Sequence, residues 1–187
     1  MEHLLLPAWR GRRVLLAGDD GGMSRAMHAL LIRIGARPAQ IPICSDNEAY
    51  CRALMAGRGT LLIAPDMNAL AAQPPARWLT AIQAMLCEAR ESGTPLTMLI
   101  ARREDVSTAQ GQALAHLAVQ AQSAACAHRH DALSFQWIWH ETTAGQDACI
   151  RALALGARYL MGDHTRLGFL SAETTNTSNE RTHFRTI

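Results

Sequence analysis

The sequence predicts an α/β fold, a three-layer doubly wound parallel sheet, and three observations carry that prediction. Short apolar runs alternate with longer helical patterns, as in a sheet whose parallel strands are joined by crossover helices. Runs such as Val14-Leu-Leu-Ala17, Leu61-Leu-Ile-Ala64 and Leu96-Thr-Met-Leu-Ile100 are nearly continuous rather than alternating, the mark of strands covered on both faces. A strand at Arg13–Ala17 then runs directly into a glycine-rich turn that opens a helix.

Taken in order, the expected strands are Arg13–Ala17, Ala39–Ile43, Thr60–Ala64, Leu96–Ala101 and Leu133–His140, with a short last one near Arg166–Leu170. The expected helices are Met23–Ile34, Asn47–Ala56, Pro75–Glu91, Ser107–His128 and Gln146–Leu160. Gly35, Gly57 and Gly93 sit where helices must stop, and glycine accepts the left-handed conformation of a C-cap. Residues 1–171 read as one domain of this kind. From Ala172 to Ile187 the chain is polar and rich in Thr and Asn, a composition that buries too little surface to order itself.

A chain of 187 residues, 49% hydrophobic and 18% charged, is large enough for a full core. The net charge of +2 is small and dispersed, which argues against a nucleic-acid or membrane surface. Five cysteines (44, 51, 87, 126 and 149) show no metal-ligand spacing and are odd in number, so reduced thiols in a cytoplasmic protein are expected. The N-terminus lacks a basic leader region, and no apolar stretch approaches the ~20 residues that span a bilayer. His128, His130 and His140 have no spacing that would place them around one metal ion.

The turn itself reads Ala17-Gly-Asp-Asp-Gly-Gly-Met-Ser24. A helix entered this way points its amide N–H groups and positive dipole end into the crevice above the sheet, the arrangement that holds a pyrophosphate. The segment resembles the first turn of the short-chain dehydrogenase/reductase family, T-G-x-x-x-G-x-G, with Gly35-Ala36 closing the helix at the expected distance. Ala157-Arg-Tyr-Leu-Met-Gly162-Asp-His-Thr-Arg-Leu-Gly168 is similar to that family's closing segment. The resemblance implies a Rossmann-like domain with strand order 3-2-1-4-5-6. It also implies NAD(P) contacts at Gly18, Asp19, Gly22, Met23 and Ser24.

The same comparison exposes what the chain lacks. Ser24 stands at the third glycine, where its side chain would either crowd a phosphate or donate to it. The position that reads the cofactor ribose falls on Pro42 or Ile43, and the family's N-N-A-G becomes Ala64-Pro-Asp-Met67. The family transfers a proton through a Tyr whose pKa is lowered by a Lys four residues on. Here the corresponding window, Gln110–Leu117, has no Tyr, and all 18 basic residues of the protein are Arg. His116 is its only titratable group and would be the catalytic residue only of an unorthodox enzyme. The expected function is therefore a degenerate, non-catalytic member with NAD(P) bound weakly or not at all. It would act through oligomerisation, partner binding or ligand sensing.

Two further expectations follow. Helices 75–91 and 107–128 are expected to form a homodimer interface, the second through its Ala-rich faces and the first through Met85 and Leu86; an active family member is the other candidate partner. The acidic pair Asp19-Asp20 after the first strand also fits a pseudo-receiver regulatory domain, whose strand order is 2-1-3-4-5. That reading lacks the strand-end phosphoacceptor and the Lys such domains use.

Overall fold

The computed structural model describes residues 4–18, 22–43, 59–66, 72, 74–92, 94, 96–102, 108–114, 116–117, 120, 135–140, 145–162 and 170–171. A 3-10 turn, Leu6–Trp9, precedes β1 (Arg13–Ala17), α1 (Gly22–Arg33), β2 (Arg37–Ile41), β3 (Thr60–Ile63) and α2 (Pro75–Glu91). Then come β4 (Thr97–Arg102), β5 (Phe135–His140), α3 (Gly145–Leu160) and β6 (Leu170–Ser171). Residues 109–114 and 116–117 are helical. The helix expected at Asn47–Ala56, the caps at Gly57 and Gly93 and the tail from Ala172 lie outside the described residues.

The six strands form one sheet in the order β2-β1-β3-β4-β5-β6, and every neighbouring pair is parallel. Successive side chains of a strand leave opposite faces, so each buried run feeds two cores. Val14, Leu16, Leu62, Met98 and Ile100 meet α1 and α3 on one face, through Met27, Leu31, Cys149 and Leu153. Leu15, Ala17, Leu61, Ile63 and Leu99 meet α2 on the other, through Trp78, Ile82, Met85 and Leu86, with Leu114 and Leu117 beside them. This is the three-layer doubly wound architecture expected from the sequence.

The strand order is not the expected 3-2-1-4-5-6. Among the described residues β2 ends the sheet, and the order of the first five strands is 2-1-3-4-5 with β6 added beyond β5. The strand itself explains why: Pro38 lies within it and Pro42 directly follows, and proline is tolerated only where its missing N–H faces away from a partner strand. β2 also runs two residues earlier than the apolar pattern suggests. Its ladder begins where the Arg37 N–H donates to the Arg12 carbonyl at 2.8 Å and closes where the Gly18 N–H donates to the Ile41 carbonyl at 2.9 Å.

Met85 and Leu86, expected at an interface, are 5% and 6% exposed and belong to the core beneath α2. The i, i+3/i+4 spacing of Trp78, Ile82, Met85, Leu86 and Ala89 puts them all on the sheet-facing stripe, so none is free for a symmetry mate. Gly35 ends α1 with φ +82°, as its position predicted.

The 3-10 turn closes the α1/α3 layer. Trp9 is fully buried, and its indole Nε1–H donates to the Leu153 carbonyl of α3 at 2.7 Å. Gly156, one turn on, lets the ring come close to the helix: a Cβ there would stand 2.6 Å from Trp9 Cζ2 and 2.8 Å from Met98 Sδ. No helix among the described residues is long and apolar enough to cross a membrane.

Candidate functional site

In a doubly wound sheet the ligand crevice opens at the carboxyl edge where the chain changes direction across the sheet, here between β1 and β3. Gly18 directly follows β1 at this point and Ala64 directly follows β3. The Ala64 N–H donates to the Ala17 carbonyl at 2.8 Å, so the two strand ends remain zipped together. A Cβ on Gly18 would lie 2.6 Å from the Ala64 carbonyl oxygen, 2.8 Å from Ser24 Cβ and 2.9 Å from Ser24 Oγ. Glycine is required here because helix α1 and strand β3 both press on its Cα.

Ser24 resolves the alternative that the sequence leaves open. Its side chain is 1% exposed and packs on Gly18, and its Oγ accepts from Gln40 Nε2 of β2 at 2.8 Å. The hydroxyl pins the first turn of α1 to β2 inside the fold. The Gly18 N–H is likewise committed, to the Ile41 carbonyl. Gly22, with φ +41°, begins α1 exposed and with open space around its α-carbon. Met23 is half-buried, and its carbonyl accepts from the Cys149 thiol at 3.8 Å. Asp19, with Asp20 and Gly21, lies outside the described residues.

The remaining candidates do not converge on this crevice. Pro42 is exposed and Ile43 fully buried, so neither presents a polar group where a ribose would be read. Ala64 and Pro65 are buried at the end of β3. His116 is exposed on the helical segment of the α2 layer and shares a 2.9 Å hydrogen bond with Gln120. No group of three or more His, Cys, Asp or Glu among the described residues is placed to hold a metal ion. β4 and β5 end in register at Arg102 and His140. Gln40 is the residue that sequence reasoning missed; a polar side chain between two prolines in a strand was the available signal.

Cys149 joins α3 to the start of α1, its thiol donating to the Met23 carbonyl. Burial pushes its thiol up from 9.0 to about 12. A thiol whose pKa is higher folded than unfolded stabilises the fold fully below the unfolded value. That contribution is lost as pH rises from about 9 through about 12. Urea denaturation at pH 8 and pH 10.5 is therefore expected to show a steeper alkaline loss of stability in the wild type than in Cys149→Ala. Equal slopes would mean that the thiol ionises as easily folded as unfolded. Cys87, by contrast, is exposed and should be the faster of the two to react with a thiol reagent.

No protein-family model matches the chain, and no curated protein matches it. A solved structure of a GDP-L-fucose synthetase from Naegleria fowleri is similar over 68% of this chain and 49% of that one, at 10% identity and a TM-score of 0.49. The chain thus spans about half the length of that protein. The doubly wound class is carried by the strand order and the parallel pairing.

Proposed function

We propose that the protein is a non-catalytic, degenerate relative of the short-chain dehydrogenases. It acts by oligomerisation, by pairing with an active relative or by sensing a ligand, and not by hydride transfer. The observation that carries this reading is the buried Ser24–Gln40 hydrogen bond over Gly18. The Gly18 amide, a donor that a dinucleotide phosphate would use, is spent on the Ile41 carbonyl, and the Ser24 hydroxyl is 1% exposed and held inside the fold as the acceptor of the Gln40 side-chain amide. Any phosphate would have to be held by the remaining amides at the start of α1. Each lost hydrogen bond weakens binding by about 1 kcal/mol, so NAD(P) affinity falls by orders of magnitude when several are lost together. The absence of Lys from the whole sequence removes the group that would activate a catalytic Tyr.

Calorimetry with NAD and NADP is expected to give no binding tighter than millimolar, and assays with ketones and alcohols no turnover. Low-micromolar binding, or turnover abolished by His116→Ala, would replace this reading with that of an atypical NAD(P)-dependent oxidoreductase. A homodimer through the outer faces of helices 75–91 and 107–128, without Met85 and Leu86, is the proposed assembly; light scattering should give twice the 20.4 kDa chain mass. The strand order favours a second reading, a pseudo-receiver regulatory domain, because β2-β1-β3-β4-β5 is the order of that fold.

A further inference from the structure

We infer that the outer side of β2 is built to refuse a further strand, through Pro38 within it and Pro42 directly after it, two of the three outward-facing amide positions from 38 to 42. The register on the inner side fixes the geometry. The Arg37 N–H donates to the Arg12 carbonyl, and the Ile41 carbonyl accepts from the Gly18 N–H, with Arg13 to Ala17 paired to Arg37 to Ile41 between these bonds. In a strand the N–H and C=O of one residue point to the same side and those of the next residue to the other. Arg37, Ala39 and Ile41 therefore spend their backbone groups on β1, and positions 38, 40 and 42 present theirs outward.

Peptide planarity gives the same result at both prolines. Across a trans peptide the nitrogen substituent points opposite to the preceding carbonyl. The Ile41 carbonyl faces Gly18 on β1, so the nitrogen of Pro42 faces out; the nitrogen of Pro38 follows the Arg37 carbonyl in the same way. Pro38 and Pro42 cost β1 no hydrogen bond, yet they strip the outer side of two of its three donors. Only the Gln40 N–H is left, and its own side chain is turned inward to Ser24. An incoming parallel or antiparallel strand needs donors at successive outward positions. Neither a second copy of this chain nor an extended peptide can add to this edge in a continuous ladder.

This inference does not depend on the proposed function, and it directs any partner to the helical layers rather than to this sheet edge. Two measurements test it. In hydrogen exchange on the wild type, the Gln40 amide is expected to exchange on the order of 100-fold or more faster than the amides of Ala39 and Ile41, which lie in the ladder. Equal protection at Gln40 would mean that its N–H is bonded on the outer side, which overturns the inference. The double variant Pro38→Val/Pro42→Val restores both donors on strand-favouring residues. It is expected to sediment as a larger, concentration-dependent species at tens of micromolar, with each single variant between it and the wild type. A folded double variant that sediments as the wild type does would show that the prolines guard nothing. If the double variant does not fold, the Gln40 exchange rate decides.

Discussion

Trp9→Ala is expected to lower the unfolding free energy by about 3–5 kcal/mol, the range for removing a buried Trp. That loss is a large part of the ~5–15 kcal/mol that a domain of ordinary stability possesses. The side chain is fully buried between the sheet and α3, so its removal leaves a cavity lined by Leu96, Met98 and the bare α-carbon of Gly156. It also strands the layer's N-terminal cover. Trp9→Phe separates packing from the hydrogen bond to Leu153 and should cost about 1 kcal/mol beyond the lost ring volume. Trp78 is the internal control, because it is equally buried and its Nε1–H has no partner among the described residues. Trp78→Phe should therefore cost less than Trp9→Phe. Urea midpoints of the three variants check the ranking, and a mild Trp9→Ala would show that the 3-10 turn is not part of the cooperative unit.

Gly18→Ala is the second change with a large expected effect, about 2–3 kcal/mol of destabilisation, at the upper end of overpacking costs. The nearest atom to the added methyl, at 2.6 Å, is the Ala64 carbonyl oxygen, a backbone atom of a residue whose N–H is tied to the Ala17 carbonyl just beyond the β1–β3 ladder. Ser24 is the softer neighbour. Combining Gly18→Ala with Ser24→Gly should therefore recover only part of the loss, since the carbonyl remains. Full recovery in the double variant, measured by thermal or urea unfolding, would place the conflict on Ser24 alone and leave β3 room to yield.

Much of this fold was legible because burial on both faces leaves an unmistakable pattern. Arg13–Ala17 and Pro75–Glu91 have the boundaries their residues suggest: the first is an apolar run ended by Gly18, the second a helical stripe that opens at Pro75. The order of the strands was hidden because a family resemblance supplied it, while the residues that contradict it are Pro38 and Pro42, whose meaning depends on which way each nitrogen faces. An apolar count also drew the second strand over Pro42 and Ile43, although the ladder is set by backbone pairing with β1. At the candidate site, the need for glycine at residue 18 was readable, but its cause was not. The pressure comes from Ala64, 46 positions away, and from Ser24, whose hydroxyl partner Gln40 lies on another strand. Met85 and Leu86 were misplaced for a related reason: helical spacing shows that a residue belongs to a stripe, but only the packed layers show which stripe the sheet covers.

The indole of Trp9 and the carbonyl it binds are separated by 144 positions of sequence. A ribosome adding about 5–20 residues per second makes Trp9 on the order of ten seconds before it makes its acceptor. Throughout that interval Leu6 to Trp9 have no α3 to cover them, and α1 lacks α3 as a neighbour on its face of the growing sheet. Until α3 is made, one face of the sheet lacks one of its helices and the Trp9 ring lacks its acceptor. The contact between Trp9 and Leu153 can form only once α3 has been made.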